Sequence, residues 1–160
     1  MHTIEGSQSA AGFRFAIVVS KYNDFVTERL QAGALAALAA AGVSSGDITV
    51  VRVPGAFEIP IAAQHAARSG RYDAVVCLGC LIRGATPHFE YIASAVSHGL
   101  TTAAGATGVP MAFGVLTTNS VEEAVERAGE GLSNKGWEAA AAAVEMAAVV
   151  AQLTRASSQA

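Results

Sequence analysis

Charge is scarce in this sequence. Of its 160 residues 14% are charged and 52% hydrophobic, where about a quarter charged is usual for a globular domain. Ten lysines and arginines against thirteen acids leave a formal net charge of −3, and no basic patch stands out. That balance argues against a general nucleic-acid binder. Much of the apolar excess is alanine, and no uninterrupted apolar run reaches the roughly 20 residues that span a bilayer. The alanine-rich stretch Ala139 to Leu153 is broken by Glu145 and reads as a packed helix, so no membrane partner is expected. Met1 to Ala10 lacks the basic-then-apolar order of a signal peptide, and a cytoplasmic location is expected. A Walker loop and a G-x-G-x-x-G fingerprint are both missing, which leaves nucleotide cofactors without support.

Cysteine is nearly absent too. The two present, Cys77 and Cys80, are spaced C-x-x-C within Val75-Val76-Cys77-Leu78-Gly79-Cys80-Leu81-Ile82, which raises a redox or zinc site. The flanking residues describe a buried strand, where positions three apart point to opposite faces. No second Cys/His pair completes a tetrahedral set, so buried free thiols are the favoured reading and no metal is expected.

What is present is an alternation of apolar, β-rich segments with helical ones. Strands are expected at Phe13 to Ser20, Ile48 to Val53, Ala74 to Leu81 and Met111 to Leu116. Helices are expected at Val26 to Ala41, ended by Gly42, then Glu58 to Arg68, Pro87 to Ala104, Val121 to Ala128 and Gly136 to Leu153. Ser120 with Glu123 forms a capping-box pattern, and Thr86-Pro87 sets a cap residue before a proline at the first helical position. The strands are nearly continuous apolar runs, as in parallel sheets covered on both faces. Right-handed crossovers then give an α/β fold, a three-layer α/β/α sandwich around a central four-stranded parallel sheet. One domain over 1–160 is expected, with residues 1–12 an arm that pairs elsewhere and 154–160 a flexible tail.

Ligands of open parallel sheets bind beyond the carboxyl ends of the strands. Here those ends read Ser20-Lys21-Tyr22-Asn23-Asp24, Pro54-Gly55-Ala56-Phe57-Glu58, Arg83-Gly84-Ala85-Thr86-Pro87-His88 and Thr117-Thr118-Asn119. The opposite ends, such as Gly70-Arg71-Tyr72-Asp73, read as ordinary turns. At the third end a small-residue loop enters a helix whose first turn holds His88. Backbone N–H groups and the helix dipole make an anion site there, with phosphate the obvious guest. The dipole disfavours a protonated imidazole, leaving His88 free to accept a proton. The plainer alternative is a helix start capped by Thr86 beside an idle surface histidine, and spacing alone leaves both open. His2, His65 and His98 lack such a setting. Locally, Glu58 reads as a helix-capping carboxylate, with hydrogen bonding to a polyol as its functional alternative. Arg127 and Lys135 read as solvated or dipole-pairing cations around Gly129-Glu130-Gly131-Leu132-Ser133-Asn134, and Tyr22 either stacks on a planar ring or covers the sheet edge.

The stretches Ser20 to Phe25, Pro54 to Pro60, Gly79 to Phe89, Phe113 to Thr118 and Asn134-Lys135-Gly136 together resemble the lumazine synthase family, in order and spacing, across nearly all of 13–153. The resemblance implies a flavodoxin-like enzyme needing no cofactor. It would condense 5-amino-6-ribitylaminopyrimidinedione with 3,4-dihydroxy-2-butanone 4-phosphate to 6,7-dimethyl-8-ribityllumazine, the penultimate step of riboflavin biosynthesis. By position, the resemblance makes His88 the proton shuttle. It sets Tyr22 on the pyrimidine ring, Ala56, Phe57 and Glu58 along the ribityl chain, and Leu81 and Ile82 against the ring. Ala85 and Thr86 would hold phosphate with Arg127, and Glu138 would orient His88 or a neighbouring charge. Phe113, Arg127 and Lys135 would come from a neighbouring subunit of a pentameric homo-oligomer. The absence of an insertion between Arg127 and Lys135 favours icosahedral shells within the family, and riboflavin synthase is a candidate partner. Two departures stand out: position 22 is often phenylalanine or tryptophan, and Glu130 to Ser133 has an unusual composition. Two competing readings are a non-catalytic pocket protein of the same fold and the related archaeal riboflavin synthase. The presence of both His88 and Arg127 favours catalysis, and the 117–119 and 134–136 segments favour lumazine synthase.

Overall fold

The computed structural model describes residues 1–158. Four parallel strands form one sheet: β1 (Phe15–Ser20), β2 (Ile48–Val53), β3 (Ala74–Ile82) and β4 (Met111–Thr118). Their order is β2-β1-β3-β4, so the chain reverses direction across the sheet between β1 and β3. In register, Val18 pairs with Val51 on one side and Cys77 on the other. Five helices cover the faces: α1 (Asp24–Ala40), α2 (Ile59–Arg68), α3 (His88–Thr107), α4 (Val121–Arg127) and α5 (Lys135–Ser158). The architecture is the expected three-layer sandwich.

Strand alternation divides the core in two. Phe15, Ile17, Val19 and Leu78 face α1 and α5, packing on Val26, Leu30, Leu38, Ala140 and Val144. Ala16, Val18, Val75 and Cys77 face α2 and α3, packing on Ile59, Ala63, Val96 and Leu100. Cys77 and Cys80 thus belong to opposite layers and remain free thiols. Cover on both faces holds for β1 and β3 and fails at the edges. Thr49, Val50 and Arg52 of β2 are exposed, as are Phe113 and Thr117 of β4, because an edge strand lies at the margin of the helical layers.

Several boundaries differ from the sequence expectation. β1 starts at Phe15 rather than Phe13, and β4 runs two residues further, to Thr118. α1 begins at Asp24 because Asn23 takes the left-handed conformation at φ 59°, which asparagine tolerates. α3 begins at His88 with Pro87 as its cap residue, and no side chain caps it, so the expected cap by Thr86 does not form. The capping box at α4 does form on one side, the Glu123 N–H donating to Ser120 Oγ at 3.2 Å. Its reciprocal half shifts by one residue, with Glu123 Oε2 accepting from the Asn119 N–H at 2.9 Å.

α5 passes the length and composition test for a membrane span, yet its stripe Gly136, Ala139, Ala140, Ala143, Val144, Ala147 and Ala148 is buried. Small side chains there let α5 approach α1 closely. The helix continues to Ser158, so 154–158 of the expected tail are helical, and 159–160 lie outside the described residues. Residues 1–12 carry no regular structure and lie along their own chain. Ala10 is buried with its N–H donating to Ala41 O at 2.9 Å, and Gln152 Nε2 donates to Glu5 O at 2.7 Å.

Candidate active site

The carboxyl ends of β1, β2 and β3 open into one cavity of about 790 Å³ beside the β1/β3 reversal. Ligand sites of doubly wound sheets occupy such switch points. Tyr22, Ala56, Phe57, Glu58, Leu81, Ile82, Thr86 and His88 line it together, with Asn23, Gly84, Phe89, Tyr91 and Ile92. Most of that wall is apolar, with a few polar groups set into it, which suits a planar heterocycle with a polar side chain.

Each edge is held by specific bonds. The Tyr22 N–H donates to Pro54 O at 3.1 Å, and the preceding Lys21 N–H to Val53 O at 2.8 Å, which ties the β1 and β2 ends. Asn23 Nδ2 donates to Cys80 O at 2.9 Å, which ties the β1 end to β3. Tyr22 itself is 72% exposed and Phe57 63%, so both rings stand free at the rim. Glu58 closes the short 3₁₀ turn Ala56–Glu58 before α2, and its carboxylate makes no cap bond. The helix-capping alternative for Glu58 therefore has no geometric support. The loop Gly84-Ala85-Thr86 is exposed and leads to His88, the first residue of α3. With no side-chain cap, the His88 and Phe89 N–H groups at the start of this 20-residue helix are open to an anion, while the Glu90 N–H is taken by its own carboxylate. Ala85 sits in that loop between two cavity-lining residues.

The other four residues singled out by sequence gather elsewhere. Phe113, Arg127, Lys135 and Glu138 line a separate cavity of about 330 Å³ against the β4 edge strand. Lys135 Nζ lies 2.8 Å from Glu138 Oε2, so of the two roles open to Glu138 its contact within the chain is to a neighbouring charge, not to His88. Arg127 Nη1 donates to Glu123 O at 3.3 Å. Phe113 is 49% exposed, a large ring without cover on its own chain.

Sequence reasoning missed three residues that build the site. Asn23 could have been found as a left-handed candidate immediately before a helix. Asn134 is buried and anchors α5, its Oδ1 accepting from the Gly136 and Trp137 N–H groups at 2.8 and 3.1 Å. Its Nδ2 donates to Gly129 O at 2.8 Å and Arg29 O at 3.2 Å, a long-range contact with no local signal. Arg83, next to the anion loop, hydrogen-bonds and ion-pairs with Glu90 and donates from Nε to Asn119 Oδ1 at 3.0 Å.

Comparison with known proteins agrees with this arrangement. The 6,7-dimethyl-8-ribityllumazine synthase family model matches residues 12–151. A protein of that name from Syntrophus aciditrophicus (strain SB) is 54% identical over 149 residues, covering 93% of this chain and 97% of its own length. Another of that name, from Desulfatibacillum aliphaticivorans, is 50% identical over 143 residues, covering 89% and 92%. The match runs through every strand end that builds the two cavities, and the chain belongs to the 6,7-dimethyl-8-ribityllumazine synthase family.

Proposed function

We propose that this chain forms 6,7-dimethyl-8-ribityllumazine from the ribitylaminopyrimidinedione and the dihydroxybutanone phosphate, in the cavity over the β1/β3 reversal. The observation that carries the reading is that cavity itself: Tyr22, Ala56, Phe57, Glu58, Leu81, Ile82, Thr86 and His88, from three strand ends, converge around one space. Tyr22 stacks on the pyrimidine, and Leu81 and Ile82 meet the ring through the end of β3. Phe57 and Glu58 follow the ribityl chain, with the free Glu58 carboxylate accepting from its hydroxyls. The phosphate rests on the Ala85-Thr86 loop and the N–H groups opening α3.

The amine of the pyrimidine attacks the ketone and expels water to give an imine. A proton then leaves the carbinol carbon as phosphate departs from its neighbour, and the enol so formed tautomerises to a ketone. Attack by the ribityl-bearing nitrogen, with a second loss of water, closes the ring. His88 stands where these proton transfers occur, at the mouth of the loop holding the leaving group. Holding two small reactants in one orientation supplies much of the rate, and the phosphate serves as handle and leaving group.

Phe113, Arg127, Lys135 and Glu138 enter the same site from a neighbouring copy, whose β4-edge cavity faces the first copy's strand ends. The support is threefold: a free aromatic ring, two cations and an acid line a second cavity that one chain cannot bring to His88. The assembly follows the family pattern of pentamers, and the uninterrupted Arg127 to Lys135 segment favours shells built from them. Its native mass checks this, since a species of five chains alone would remove the shell and a monomer the shared site.

The activity test is direct. The two substrates are mixed with the protein and the absorbance of the lumazine product is followed. Formation well above the spontaneous rate is expected. Bound pyrimidine without acceleration would leave a non-catalytic pocket.

A further inference from the structure

We infer that Arg83 is a positioning residue for the anion loop, acting on the phosphate-bearing substrate without touching it; this rests on the reading that the loop receives phosphate. Arg83 follows the last residue of β3 and lies outside the residues lining the cavity. Its backbone N–H donates to Thr118 O at 2.8 Å, extending the β3–β4 ladder by one step. Its side chain then crosses from one foot of the loop to the other. The guanidinium lies 4.5 Å from the centre of the Phe89 ring and pairs with Glu90, both in the first turn of α3. Nε reaches the opposite way, to Asn119 Oδ1 at 3.0 Å. Asn119 is itself fixed through the Glu123 carboxylate on α4.

The four residues between, Gly84 to Pro87, are exposed and small, and nothing lies within 4 Å of a side chain built on Gly84. No side chain caps the helix they enter. The separation and tilt of the β3 end and the α3 start therefore depend on the chord that Arg83 draws between them. Those two ends determine whether the loop N–H groups converge on a single oxygen cluster. The Arg83 charge is already matched by Glu90, so its contribution is geometric more than electrostatic. A guanidinium is suited to this because its planar fork lies on the ring face while donating in its own plane, whereas an ammonium has donors but no flat face to stack.

The test uses the full-length protein with each substrate varied in turn, and inorganic phosphate as a competing probe. Arg83→Ala is expected to raise the KM for the dihydroxybutanone phosphate and the phosphate inhibition constant about five- to tenfold. The pyrimidine KM and kcat should stay within about twofold, and Arg83→Lys should recover only part of the loss. An equal change in both KM values, a loss confined to kcat, or full rescue by lysine would overturn the positioning role. Ala85→Glu separates the two layers of the argument by placing a carboxylate in the loop. If it leaves phosphate inhibition unchanged, the loop is not the phosphate site and the Arg83 inference falls with that reading. If it abolishes inhibition while Arg83→Ala changes nothing, only the inference fails.

Discussion

Glu58 and His88 occupy neighbouring helix starts, and neither does what a residue at a helix start usually does. Glu58 caps nothing, and His88 opens α3 without a cap before it. Polar groups left free at the rim of a cavity are what a ligand can use. On this basis His88→Ala should lower kcat roughly 100-fold, at the low end for a positioned proton shuttle, while both KM values change little. An unchanged turnover number would remove His88 from the chemistry. The cysteines give the opposite kind of residue. Burial pushes the Cys77 thiol up to about 12 and the Cys80 thiol up to about 11, so both stay protonated at neutral pH. Native protein near pH 8 should therefore resist a thiol reagent that labels both residues after unfolding. Rapid native labelling of either would contradict the packing. Their split across the sheet was legible from strand alternation alone. Free functional groups were not, because whether Glu58 caps or binds depends on a side-chain bond and not on its position.

Elements here are tied by contacts far apart in the chain. Asn134 serves α5 as an N-cap, a role visible locally, and also reaches Arg29 O on α1, which sequence spacing does not show. Gly33 faces it on α1, where any side chain would collide with the Asn134 amide. Asn134→Ala removes a cap, takes away the donor to the Gly129 carbonyl and cuts the tie to Arg29 O on α1, and should cost about 2–4 kcal/mol in urea unfolding. Gly136→Ala should be at least as harmful, because its Cβ would strike the Leu30 carbonyl of α1, a backbone group that cannot swing aside. A wild-type unfolding curve for either variant would mean that α1 and α5 are not held this closely. At the start of α3, Glu90 titrates below the ordinary glutamate value of 4.5. A hydrogen bond from its own backbone N–H lowers it most, desolvation opposes this, and the Arg83 hydrogen bond and charge add smaller lowering effects. A depressed acid contributes stability above its unfolded value and loses it as pH falls through the folded one. The contact with Arg83 is therefore complete at neutral pH. The KM effect of Arg83→Ala should be constant between about pH 6 and 8, and a steep change in that window would assign it to another group. Strand and helix identity were readable because period-two and period-3.6 patterns are local. The start of α1 at Asn23 was not, since it turns on a left-handed backbone conformation, and at α3 the start was readable to within one residue while the missing Thr86 cap was not.

At the scale of the molecule, the asymmetry of the sheet points to the end that carries the larger of the two cavities described. Polar, aromatic and glycine residues crowd the carboxyl ends of the strands, and the cavity over the reversal is built from three of those ends. The fourth end, Thr117 to Asn119, does not join that cavity: Thr117 lines the separate one at the β4 edge with Phe113, Arg127, Lys135 and Glu138, which the family resemblance had already assigned to a neighbouring subunit or, for Glu138, to a neighbouring charge. Strand order explains this: β4 lies at the sheet margin, with β3 between it and β1. The proposed sharing of one site between neighbouring copies also carries a genetic consequence. A chain lacking His88 keeps a sound β4 edge, and a chain lacking Lys135 keeps a sound loop and rim. Co-expressed in one cell, two alleles that are each inactive should yield mixed particles containing some intact junctions, and so restore growth without added vitamin.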